Sequence, residues 1–78
     1  MTLKPDHIQI LKIISGVFSI QTYRVAQRMR YDRIHGDRAT AKARNMLLTL
    51  ERNGYAEHDG PFWKATTAGI NLVEGLGE

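Results

Sequence analysis

The chain has 78 residues, no cysteine and a net charge of +3. That length holds one domain, here residues 1–78, and leaves no disulfide to support it. No apolar run approaches the ~20 residues a bilayer-spanning helix needs, and Lys4, Pro5 and Asp6 interrupt the start before any signal-peptide core.

A soluble, cytoplasmic protein is therefore expected, and the missing cysteines fit a reducing compartment. A domain this small buries only ~60% of the surface of its unfolded chain. Without disulfides or metal, such domains often gain stability by pairing, so a homodimer is expected.

The first predicted helix runs from about Pro5 to Ser15. Pro5 suits its first position, where a missing N–H costs nothing, and Asp6 suits the first turn. Ile10, Ile13, Ile14 and Val17 form one stripe, and Ile8 and Leu11 widen it. So wide an arc implies two partners, the domain's own core and a second surface such as another copy. Gly16 is expected to close the helix in a left-handed conformation. Val17-Phe18-Ser19-Ile20 reads as an abbreviated strand that pairs with a later hairpin.

A second helix starts at Ser19 or Gln21, with serine the better cap. It buries Val25, Ala26 and Met29 and turns Gln21, Arg24, Gln27 and Arg28 outward. Arg30 to Asp37 carries no helical stripe. Tyr31 and Ile34 either anchor this loop or form an extra helical turn; the alternative is a mobile basic loop that orders on binding. Gly36-Asp37 reads as a turn and cap before the next helix.

The strongest periodicity follows, from about Arg38 to Asn53. Ala39, Ala43, Met46, Leu47 and Leu50 share one face, and Arg38, Ala41, Lys42, Arg44 and Asn45 lie on or near the other. Leu48 projects to the polar side, either as an exposed apolar residue or packed under the loop or against a partner. Gly54 ends the helix. Tyr55 to His58 and Phe62 to Ala65 can pair as a hairpin, with Asp59-Gly60 as the tight-turn signal and Pro61 at the turn. Trp63 is expected to fill the core and Phe62 to face away. Thr66 caps a last helix, Thr67 to about Leu76, carrying Ile70, Leu72 and Val73. Gly69 inside it costs roughly 1 kcal/mol relative to alanine, so a neighbour must require a small residue there; close packing on another helix is one candidate.

Charge is concentrated in one segment. Arg24, Arg28, Arg30, Arg33, Arg38, Lys42 and Arg44 face only Asp32 and Asp37, a surplus of five positive charges, whereas the rest of the chain is net negative by two. Such a segment suits a polyanion, although a merely solvated helical face has the same composition. His7, His35 and His58 lie in separate segments without the convergent spacing of a zinc site, His7 reads as a surface histidine or one bordering an interface, and no nucleophile–base set or phosphate loop is visible. No catalytic residue, metal or cofactor is expected, and the chain does not read as an enzyme.

The order Leu47-Leu48-Thr49-Leu50-Glu51-Arg52-Asn53-Gly54, then a hairpin, then Thr66-Thr67-Ala68-Gly69, resembles the winged helix-turn-helix of MarR- and PadR-like transcription regulators. The resemblance covers about residues 5 to 75. It implies an α+β fold: a three-helix core, a β-hairpin wing and a short C-terminal helix. The connection from Arg30 to Asp37 is longer than the three or four residues usual in a helix-turn-helix.

By that resemblance the 38–53 helix enters the major groove of double-stranded DNA. There Arg38, Thr40, Ala41, Lys42, Arg44 and Asn45 come near bases, with Arg44 and Asn45 the leading base readers. Arg24, Arg28, Arg30 and Arg33 are expected on phosphates, with His58 and Lys64 as the wing's only contributions. The competing readings are a winged-helix protein-interaction module without DNA binding, and RNA or non-specific DNA binding through charge alone.

Overall fold

A computed structural model describes residues 3–34 and 36–76; His35, one of the three histidines weighed above, lies outside them. The elements in chain order are α1 (Pro5–Ser15), β1 (Ile20–Gln21), α2 (Thr22–Arg28), α3 (Tyr31–Ile34), a 3-10 turn (Gly36–Arg38), α4 (Ala39–Arg52), β2 (Ala56–Asp59), β3 (Phe62–Ala65) and α5 (Thr67–Leu76). The fold is α+β: helices pack over an antiparallel sheet in the order β1-β3-β2.

The core forms where the apolar stripes meet. Ile10, Leu11 and Ile14 of α1, Val25 of α2, and Ala43, Leu47 and Leu50 of α4 are wholly buried, and Trp63 closes the sheet side. The expected inward face of the longest helix is thus the buried one. Trp63 fills the core as expected, and its indole N–H needs an acceptor there. Thr22 Oγ1 supplies it at 2.9 Å. The backbone N–H of Thr22 donates to the Pro61 carbonyl at 3.2 Å. The start of α2 is thereby tied to the hairpin turn.

Several local expectations change. Gly16 ends α1 at φ −88° rather than left-handed, with its N–H bonded back to the Ile13 carbonyl in a tightened last turn. The early strand is Ile20–Gln21 alone, and it pairs antiparallel with β3. Gln21, not Ser19, precedes α2, and no side chain caps it. The hairpin turn is Gly60-Pro61, because Asp59 still pairs with Phe62. Gly60 has φ +61°, and proline fixes a negative φ after it, the sign combination of a type II′ turn.

Tyr31–Ile34 takes the helical alternative. Arg30 follows α2 in the left-handed region at φ +61°, a place glycine usually holds, and redirects the chain into the single turn of α3. Tyr31 is buried, and its hydroxyl donates to Asp6 Oδ2 at 2.9 Å. Burial and that bond push the phenol up to about 12. Ile34 anchors nothing: it is exposed.

The end of α4 behaves as expected. Gly54 is left-handed at φ +81°; its N–H bonds the Glu51 carbonyl and that of Tyr55 bonds the Leu50 carbonyl, a Schellman closure. Thr66 caps α5 by accepting the Gly69 N–H at 3.1 Å. Gly69 is required by a backbone rather than a helix. A Cβ there would collide with the Tyr55 carbonyl oxygen and come within 3.1 Å of Leu11 Cδ1.

His7, expected at the surface, is buried. Its Nδ1 accepts the Lys4 backbone N–H at 3.1 Å, closing the open start of α1. Burial lowers its pKa from 6.5, the charges of Lys4 and Lys42 lower it further, and Asp6 opposes them. Stability linked to His7 is therefore complete above pH 6.5 and lost as pH falls through the lowered value, because the unfolded chain takes up the proton first. The melting temperature should fall between pH 7 and pH 5, and His7→Gln should flatten that part of the profile; an unchanged slope would count against it.

Candidate nucleic-acid interface

The outward side of α4 is set by the same periodicity that buries its inner side. Residues Ala39, Ala43, Met46, Leu47 and Leu50 occupy one arc, which leaves the opposite arc to solvent. Arg38, Thr40, Ala41, Arg44 and Asn45 are exposed there. Lys42 is half-buried at the margin of this arc, near enough to His7 to act on its charge. Small Ala41 leaves the arc's centre low between Arg44 and Asn45.

Leu48 does not project freely. It is half-buried, packed on the core, and lies in a cleft of about 440 Å³ that also takes in Tyr23, Thr40, Arg44, His58 and Pro61. The cleft thus runs between the start of α2, the outward side of α4 and the hairpin tip. Tyr23, Leu48 and Pro61 were not among the sequence candidates. The signal available was Leu48 itself, an apolar residue out of phase with the α4 stripe.

Charge on this surface is uncompensated. Among the described residues the ion pairs are His58 with Glu51, at 2.5 Å, and Lys64 with Glu57, at 3.2 Å. None of the seven cations from Arg24 to Arg44 pairs with a carboxylate, so neither Asp32 nor Asp37 neutralises them. The two hairpin candidates, His58 and Lys64, are the ones that have acidic partners. His58 also lies against Trp63, its cross-strand neighbour, with ring centroids 4.5 Å apart.

The twelve candidates do not form one cluster. Thr40, Arg44 and His58 share the cleft. Arg30 and Arg33 are exposed on and beside the inserted turn. Arg24 and Arg28 border a different groove, with Val17, Ser19 and Phe62. Lys64 lies with Phe18 and Asp59 in a third. Sheet alternation explains the split, since Lys64 and Phe62 point away from the face that carries Trp63 and His58.

Among the described residues no group of three or more His, Cys, Asp or Glu could hold a metal ion, and no helix is long and apolar enough to cross a membrane. Comparisons with known protein families, with curated proteins and with solved structures find no match.

Proposed function

We propose that this chain is a small winged helix-turn-helix protein that binds double-stranded DNA in a sequence-dependent way and serves as a transcription regulator, acting as a homodimer. In this reading α4 is the helix that enters the major groove and the β2–β3 hairpin is the wing. The observation that carries it is the run of seven cations from Arg24 to Arg44, which no carboxylate neutralises among the described residues, beside an exposed α4 arc.

Arg44 and Asn45 read base edges, arginine suiting guanine and asparagine suiting adenine. Thr40 and Ala41 lie between them and the helix start, and Lys42 reaches from the margin. Arg30, Arg33 and Arg38 take phosphates, which fix register without specifying sequence. Arg24 and Arg28, beside another groove, are the weaker phosphate ligands. The wing adds little. His58 and Lys64 already have acidic partners, and Asp59 at its tip repels phosphate.

The test is a titration with random and genomic duplexes at several salt concentrations. With about five phosphates neutralised per domain, the log–log slope should be near −4.5, and a preferred site should emerge. Equal binding to every duplex would favour charge alone. No binding at low salt would favour the interaction-module reading, for which the exposed Phe18 is the supporting observation.

A further inference from the structure

The outer face of the sheet carries a second surface, which shares Arg24, Arg28 and Lys64 with the DNA reading but none of the α4 residues that read bases. Phe18 is 99% exposed and Phe62 43% exposed. Both line one groove, with Asp59 and Lys64, and Phe62 also lines the groove of Arg24 and Arg28. Contiguous apolar surface rimmed by polar groups marks an interaction site, and aromatic side chains are enriched in the centres of such interfaces.

The charges on this face are ordered. Gln21, Phe62 and Asp59 form one row across β1, β3 and β2. Among the described residues, Arg24 and Arg28 stand beyond the β1 end without acidic partners, and Asp59 stands at the β2 end without a basic one. Lys64 and Glu57, in the next row, neutralise each other. The face therefore reads positive, apolar, negative along one direction. A two-fold axis through the apolar centre places the positive end of one copy on the negative end of the other, twice, which is the self-complementarity an isologous contact requires.

We infer that a second copy of this chain docks on this face, with Phe18 and Phe62 at the centre and Arg24 and Arg28 against the partner's Asp59. The inference rests on the proposal that the protein works as a pair, and not on DNA binding. It moves the pairing surface from the apolar arc of α1 to the sheet. It also leaves the α4 arc free, since Gln21 is the one residue shared between the α4 cleft and these grooves.

The body measures 33 × 25 × 21 Å. The sheet face, with strands of two to four residues, covers only part of that body, less than the ~800 Å² per partner of a standard interface, so a weak association is expected and is sought over ~10–100 µM. The experiment is sedimentation equilibrium of the whole chain over that range, without DNA. Phe18→Asp touches no core contact and should weaken association at least ~10-fold with an unchanged thermal melt. Arg28→Glu and Asp59→Arg should each weaken it, and the double variant should return to within ~3-fold of wild type.

Four results would overturn the inference. These are a wild type that stays monomeric, association unmoved by Phe18→Asp, a double variant no better than the singles, or a monomer that instead binds single-stranded oligo-U through Phe18. Loss of DNA binding with the mass unchanged would strike the functional proposal alone.

Discussion

Gly69→Ala should destabilise the protein by about 2–3 kcal/mol, although helix propensity alone predicts a gain of about 1 kcal/mol for that change. The sign is decided by the Tyr55 carbonyl. Its oxygen occupies the space a Cβ would need, and it cannot easily retreat. It accepts the Thr66 N–H at 3.1 Å, while the Tyr55 N–H closes α4 on Leu50 at 3.0 Å. Thr66 adds a bond from its hydroxyl to the Gly54 carbonyl at 2.6 Å. Moving Tyr55 therefore loosens the end of α4 and the start of α5 together. Leu11 blocks the other side, with its Cδ1 3.1 Å from the same Cβ position.

A domain of this size has roughly 0.05–0.15 kcal/mol of stability per residue, so the loss is a large share of the total. The melting temperature should drop by about 10–20 °C. Gly75→Ala is the control. It lies in the same helix with open space around its Cβ position, and it should be neutral or stabilising. A Gly69→Ala variant that melts at or above wild type would show that α5 does not seat against Tyr55 as described.

Arg44→Ala is expected to change which duplexes the protein prefers, costing about 1–3 kcal/mol at one base position and leaving the others nearly untouched. Arg44 is exposed, lies on the outward arc of α4 and shares a cleft with Thr40 and Leu48. Among the described residues it has no carboxylate partner to leave before binding, so its charge is available to a groove. Arg33→Ala, by contrast, should weaken all sequences alike and lower the salt slope by about 1. Selection of bound duplexes from a random pool separates the two behaviours. If Arg44→Ala lowered affinity uniformly, this side chain would be a phosphate ligand and base reading would have to lie elsewhere on α4.

What could be read in advance follows from how local each cause is. The inner side of α4, its stop at Gly54, the hairpin and the Thr66 cap depend on residues a few positions apart, and they form as the spacing predicts. The α+β class follows from them. Tyr31–Ile34 leaves no stripe in the sequence because a single helical turn has no periodicity, and the bond that holds Tyr31 reaches back 25 positions to Asp6. Gly69 announced a close neighbour but not its identity, since a backbone carbonyl leaves no mark in sequence. His7 stands three, four and seven positions before Ile10, Leu11 and Ile14, so its burial is legible in the α1 stripe; what spacing does not show is the Lys4 N–H that satisfies its ring there.

Candidate site residues were legible as charges, and their grouping was not. The segment from Arg24 to Arg44 is continuous in sequence, but the grooves divide it. Arg44 faces the α4 cleft, and Arg24 and Arg28 face Phe62. Lys64 carries a signal in its own hairpin, where Glu57 sits directly across from it. Glu51, seven residues before His58, could not be placed beside it until α4 and β2 were packed together.

The central claim is that the outward arc of α4 enters a duplex groove. Backbone amide chemical shifts of the protein, recorded as a selected duplex is added, test it most directly. The account predicts the largest changes at Thr40, Ala41, Arg44 and Asn45, with Arg30 and Arg33 next and Phe18 and Phe62 unmoved. Changes centred on Phe18 and Phe62, with α4 unmoved, would contradict it.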